Sequence, residues 1–190
     1  SNAQEGLSGV SFGDFLIKQV LDKLSHEFPN LKTFATLSPI PGFSEWLVSL
    51  CNSEKNFLSN DQLEQLGSLA DNKNDTHVLL SLLYQKNWHE NIDICETLEP
   101  IMLRLAADYL LNQRRKKKGT ALDPVAHFHL SNGAQIEKIN WLADCSNRGI
   151  QQSAGMMVNY LYGVEQILEN HEAYITGREI PASNAVKLLI

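Results

Sequence analysis

The string Ser38-Pro39-Ile40-Pro41-Gly42 constrains this chain more than any other. Each proline fixes its own φ and biases the residue before it away from helix, so no regular element can run through the segment. Its two flanks differ in character. Lys32 to Leu37 is short and β-prone and predicts a buried strand, whereas Phe43 to Cys51 sets Phe43, Trp46, Leu47 and Leu50 on one helical face. A strand must therefore hand over to a helix through a rigid, irregular turn, with Ser38 at the strand end. A serine there can point into a cleft, or it can bond the local backbone as an ordinary turn residue. The surroundings are not Gly-x-Ser-x-Gly, which argues against a hydrolase nucleophile elbow.

Upstream of this turn, Gln4 to Gly13 is a loop carrying Gly6, Gly9 and Gly13. It opens a helix in which Phe12, Leu16, Val20 and Leu24 recur every four residues, widened by Ile17 and Leu21, until Phe28-Pro29-Asn30 ends it. Downstream, 57–118 is helical in pattern, with candidate helices at Asp61 to Ala70, Thr76 to Gln85 and Cys95 to Gln113, and with Pro100 expected in the first turn of the last. Val125 to Leu130 reads as a strand, Asn132-Gly133 as a hairpin turn and Ala134 to Leu142 as the returning strand. Met156 to Tyr162 is a further strand, and Val164 to His171 begins a short helix. The expectation is one α/β (α+β) domain over 1–190, with 57–118 a large, mostly helical insertion between strands.

The balance of charge narrows the function. A net charge of −6 does not favour generic nucleic-acid binding. The run Arg114 to Lys118 is a local exception, either a solvated helix end or a contact to a ligand phosphate. Cys51, Cys95 and Cys145 lie far apart and form no CxxC pair, so neither a disulfide framework nor a zinc site is expected, and a reducing, cytoplasmic setting is. No apolar run approaches the roughly 20 residues that cross a bilayer, so no membrane partner is expected.

Three places can carry chemistry. The glycine loop ends at a helix N-terminus, where unpaired N–H groups and the positive end of the dipole suit a pyrophosphate, although a plain capping loop has the same pattern. Ser38 is the second place. His127 and His129 are the third; on a strand they would share a face. No further ligands fall at metal spacing, so a single proton-transferring histidine is favoured over a metal pair. Tyr160 and Tyr162 would share a strand face, lining a pocket or simply packing.

Four strings together resemble the malonyl-CoA decarboxylases: QEGLSGVSFGDFLIKQV, FATLSPIPGF, DPVAHFHLSNGAQIEKINWLADCS and SAGMMVNYLY. They occur in family order across nearly the whole chain. The resemblance implies an acetyltransferase-like (GNAT) mixed sheet whose first strands, together with an N-terminal helical domain, are absent from this chain. It implies that the loop at 4–13 grips the pyrophosphate of coenzyme A, a role falling on Ser8, Gly9, Val10, Ser11, Phe12, Gly13 and Asp14. Ser38 and His129 match the family's catalytic serine and histidine, and Tyr162 matches a tyrosine near the site. Asn159 and Asn132 are supporting candidates, and His127 carries no role. Ser11 stands where some relatives have a glutamate.

The reaction implied is decarboxylation of malonyl-CoA to acetyl-CoA and carbon dioxide through an enolate. It requires no cofactor, because the thioester itself is the electron sink. His129 is assigned as donor and Ser38 as acceptor and carboxylate-orienting group, with the reverse assignment of donor and acceptor also open. Ser38 and His129 are then expected within hydrogen-bond reach of each other, beside the glycine loop. Malonyl-CoA is the expected partner, and a homo-oligomer is the expected assembly. The competing readings are an acyl-CoA-dependent N-acetyltransferase and a non-catalytic acyl-CoA-binding module.

Overall fold

The computed structural model describes residues 12–31, 33–53, 56–70, 77–116, 119–177 and 179–190, with the side chains at 12–16, 18 and 22 excepted. Three strands form one sheet: β1 (Thr33–Pro39), β2 (Gln135–Asn140) and β3 (Met157–Gly163). Their order is β1-β3-β2, and both pairings are antiparallel. Alternation places the site. Along β3, Val158, Tyr160 and Tyr162 are buried, and the register sets Ser38, Thr36 and Phe34 of β1 opposite them in that order. All six side chains therefore share the core-facing side of the sheet. This is why Ser38 is 7% exposed while its neighbour Leu37 is 52% exposed.

Helices cover that face. α1 (Phe12–Glu27) buries Leu21. α2 (Phe43–Cys51) follows the double-proline turn at once and buries Phe43, Leu47 and Cys51. α3 (Asn60–Leu69) begins on a capping box, in which Ser59 accepts from the Gln62 amide and the Gln62 side chain accepts in return. α4 (Val78–Leu83) is apolar except for Ser81, and a single 3₁₀ turn (Trp88–Glu90) leads into α5 (Ile92–Asn112). α5 is the central helix, burying Leu98, Ile101, Met102, Leu105, Ala106, Tyr109 and Leu110. Asn91 caps it by accepting from the Ile94 amide, so it starts three residues earlier than the sequence predicts. Pro100 consequently lies in its interior instead of its first turn, where it removes one backbone hydrogen bond.

The segment 123–134 departs most from the sequence reading. It forms a helix, α6 (Pro124–Ser131), where a strand was expected. Asp123 is the N-cap, accepting from the Val125 and Ala126 amides at 2.9 Å each, and Pro124 occupies the first helical turn, where its missing N–H costs nothing. The buried positions Ala126, His129 and Leu130 follow helical spacing. Gly133, at φ +81, ends the helix in the left-handed conformation, so Asn132-Gly133 is a helix terminus and no hairpin turn. β2 follows, but it pairs with β3. His127 and His129, two residues apart, point about 200° apart around the helix and do not share a face.

α7 (Asn147–Ser153), α8 (Ile167–Ile175) and the short α9 (Asn184–Lys187) complete the described chain. β2 carries a bulge between Ile136 and Lys138, and the Ser183 hydroxyl donates to the Glu137 carbonyl there at 2.7 Å. No described helix is long and apolar enough to cross a membrane.

Candidate active site

The end of β1 and the last turn of α6 meet beneath the sheet. There the Ser38 Oγ lies 3.0 Å from His129 Nε2, across 91 residues of sequence. On the other side of the ring, His129 Nδ1 lies 2.7 Å from the Tyr162 hydroxyl. Ser38 Oγ also donates to Thr36 Oγ1 at 3.1 Å. The imidazole stacks on Tyr160, with ring centroids 4.3 Å apart and planes 19° off parallel. A line of polar groups, Thr36–Ser38–His129–Tyr162, therefore runs along the core face of the sheet. Tyr160 forms its floor.

Burial sets the charge state. It lowers the pKa of His129 from an ordinary 6.5 to about 4, so the ring is neutral at neutral pH. A neutral imidazole has one N–H donor and one acceptor nitrogen. Burial also holds the Tyr160 phenol well above its ordinary range, and its hydroxyl has no partner among the described residues.

Asp123 fixes the distance between strand end and helix. Its carboxylate is 1% exposed. Besides capping α6 with one oxygen, it accepts from the Gly42 amide at 3.2 Å with the other and bonds the Tyr109 hydroxyl. One side chain thus ties the helix that carries His129 to the turn that follows Ser38 and to α5. Burial raises its pKa, and the three backbone amides and the tyrosine oppose that rise.

The other expected residues are distributed as follows. Asn159 lies on the far face of β3, where its amide donates to the Thr36 carbonyl at 3.0 Å and its oxygen accepts from Asn140 at 2.8 Å; it clips the strands together. Asn132 donates to the Phe128 carbonyl at the end of α6. His127 turns away from Ser38 and meets the Tyr174 hydroxyl at 2.7 Å. Arg114 and Arg115 lie beyond α5, in a turn where Arg114 bridges to Ala121 and the Arg115 amide donates to Thr120, and so do not form a helix end. Lys117 and Lys118 lie outside the described residues. So do Ser8, Gly9, Val10 and Ser11 of the expected coenzyme A loop; Phe12, Gly13 and Asp14 are described only as the first backbone turn of α1.

A cleft of about 510 Å³ opens beside the double-proline turn, between Gly42, Glu45, Trp46, Tyr109 and Pro124. Neither Ser38 nor His129 lines it, and the Glu45 carboxylate opposes a phosphate-rich ligand. The hydrogen-bonded line is therefore the better guide to where chemistry can occur. Thr36 and Asp123 were not singled out by sequence reasoning. Asp123 had a visible signal, an aspartate directly before a proline and an apolar run; Thr36 had only its place two residues before Ser38.

The α/β domain thus holds a buried serine, a neutral histidine and a tyrosine in one hydrogen-bonded line, an arrangement along which a proton can pass. The comparisons with known proteins specify it further. The family model described as "Malonyl-CoA decarboxylase C-terminal domain" matches residues 1–190, and the chain belongs to that family. Mitochondrial malonyl-CoA decarboxylase of Anser anser anser is 40% identical over 192 residues, covering 98% of this chain and 38% of the relative. The Rattus norvegicus protein of the same name is 39% identical, covering 100% and 39%. Crystal structures of malonyl-CoA decarboxylases from Rhodopseudomonas palustris and Agrobacterium vitis each superpose with a TM-score of 0.85 at 43% identity. Both cover 100% of this chain, and 40% and 43% of the respective solved chains. The chain thus spans about two fifths of the length of the relatives it matches.

Proposed function

We propose that this chain carries the catalytic site of a malonyl-CoA decarboxylase, converting malonyl-CoA to acetyl-CoA and carbon dioxide, with Ser38 and His129 at the reacting centre. One observation carries the reading: the buried 3.0 Å contact between Ser38 Oγ and His129 Nε2. Family membership supports the substrate.

The chemistry follows from the groups present. When the bond between the carboxylate carbon and the methylene breaks, its electron pair moves into the thioester and makes an enolate. Carbon dioxide leaves, and the methylene carbon then takes one proton, replaced from solvent. The enolate oxygen needs a hydrogen-bond donor held in place before the charge arrives. The neutral His129 ring supplies that donor, and Ser38 orients the departing carboxylate. Exclusion of water favours loss of the carboxylate charge, and both residues are only 7% exposed. Tyr162 holds the outer ring nitrogen. The glycine loop, Ser8 to Asp14, takes the coenzyme A pyrophosphate in this reading, in an acetyltransferase-like arrangement. A homo-oligomer is part of the reading. The compartment is read as cytoplasmic from the scattered cysteines, although the goose and rat relatives are named mitochondrial.

The test is carbon dioxide release from malonyl-CoA by the full-length protein. Ser38→Ala and His129→Asn should each lower it by well over about tenfold. Full activity in either variant removes that residue from the mechanism. Acetyl transfer to an added amine without carbon dioxide release would favour an acetyltransferase instead.

A further inference from the structure

The hydrogens along the polar line can be counted. Thr36, Ser38 and Tyr162 each bring one hydroxyl hydrogen, and neutral His129 brings one ring hydrogen. Three contacts join these four groups end to end. A line of hydrogen bonds that passes through a neutral imidazole can run in only one direction at a time, because one ring nitrogen donates and the other accepts. If Ser38 gave its hydrogen to Nε2, the ring hydrogen would sit on Nδ1, facing Tyr162. No ring donor would then be left at the serine.

Thr36 decides between the two directions. It stands two residues before Ser38 on the same face of β1, and its Oγ1 accepts the Ser38 hydrogen at 3.1 Å. With that hydrogen turned away, Ser38 presents lone pairs to the histidine. Nε2 then carries the ring hydrogen and Nδ1 accepts from Tyr162. The Thr36 backbone carbonyl is held separately by Asn159, so the placement of the strand does not depend on the threonine hydroxyl.

We propose that Thr36 is a positioning residue of this site: by accepting the Ser38 hydrogen it selects the His129 tautomer with its hydrogen on Nε2, so that the ring donor faces the place where substrate charge develops. The proposal rests on the Ser38–His129 reading above. Its role is electronic and directional, which separates it from packing. Valine has nearly the shape of threonine and the same β-branching but no hydroxyl, and serine restores the hydroxyl alone.

The experiment uses the full-length protein and malonyl-CoA, with kcat and KM measured for Thr36→Val, Thr36→Ser, Ser38→Ala and His129→Asn. The His129 tautomer is read from its nitrogen-15 chemical shifts. Thr36→Val should lower kcat about tenfold or more with KM within about twofold, and Thr36→Ser should recover most of it. The unmodified protein should show the hydrogen on Nε2. Wild-type kcat in Thr36→Val, alongside inactive Ser38→Ala and His129→Asn, overturns the role of Thr36 alone. Activity in the Ser38 and His129 variants overturns the underlying reading instead. A hydrogen on Nδ1 in the unmodified protein refutes the proposal even if Thr36→Val does not fold.

Discussion

Replacing Gly42 by alanine adds one carbon at the point where the turn after Ser38 meets α5. The backbone would tolerate the change, since Gly42 sits at φ −92 and ψ −4, a conformation open to any residue. Space does not. The new methyl would overlap the Tyr109 hydroxyl oxygen, while the next atoms, Tyr109 Cζ at 3.5 Å and Asp123 Oδ2 at 3.6 Å, are at ordinary contact. Tyr109 has little room to step aside. It is buried, its ring packs against Phe43 at 5.8 Å and Trp46 at 5.2 Å, and its hydroxyl bonds Asp123. Overpacking of this kind costs about 1–3 kcal/mol. Stiffening the unfolded chain returns about 0.4–1 kcal/mol. The expected net loss in urea denaturation is therefore about 0–2.6 kcal/mol, from the difference of those two terms. In a Tyr109→Phe background the overlapping oxygen is gone and only the gain from the stiffer unfolded chain remains, so the same substitution should be neutral or slightly stabilising, giving a coupling of about 1–3 kcal/mol, the overpacking term alone. Carbon dioxide release should fall in the single variant, because pushing Gly42 off Asp123 shifts α6 against Ser38. Equal costs in both backgrounds would refute the argument that Tyr109 is what requires a glycine here.

Two further outcomes follow from the ionisation and packing of the site. His129 has a folded pKa of about 4 against an ordinary 6.5, so the unfolded chain takes up the proton first as pH falls. Stability should accordingly drop between those values, by roughly 3 kcal/mol in all from this one group; the acid limb of stability against pH should be shallower in His129→Asn, and an unchanged limb would place the acid sensitivity elsewhere. Tyr160→Phe should leave thermal stability unchanged or raise it by up to about 1 kcal/mol, because the hydroxyl it removes is buried without a partner among the described residues. A marked loss in that variant would show that the hydroxyl has a partner after all.

How far the sequence could be read depended on where the deciding information lay. β1, α2 and β3 were legible because their signals are local: a β-prone string, a double-proline stop and an apolar helical face lie side by side. The segment Val125 to Leu130 failed the same test, because Val-Ala-His-Phe-His-Leu suits a strand and a buried helix about equally. What decided it was the Asp123-Pro124 step just before, a cap followed by a first-turn proline, which outweighs the Asn-Gly pair behind it. Pro100 was misplaced for the converse reason: the cap, Asn91, stood further upstream than the apolar stripe began. The meeting of Ser38 with His129 lies beyond any local pattern, since 91 residues separate them. Only the family resemblance of their flanking strings joined the two, and it did so even though the element carrying His129 was misread. Asp123 reaches Gly42 over 81 residues, a link that neither periodicity nor spacing could reveal.

The two histidines of α6 have a consequence for the length of the chain. His129 is held on the sheet side by Ser38 and Tyr162, while His127 is held on the opposite side by Tyr174, whose hydroxyl also accepts from the Ala121 amide. The rotation of the helix is thus locked from both flanks, like a shaft keyed at two angles. A helix advances about 100° per residue. One residue inserted or deleted between Asp123 and His129 would swing the imidazole a quarter-turn away from Ser38 while leaving every side chain of the site intact in composition. What this stretch must preserve is therefore a count as well as an alphabet: substitutions can be absorbed one at a time, but a change of length puts the cap and the imidazole out of phase.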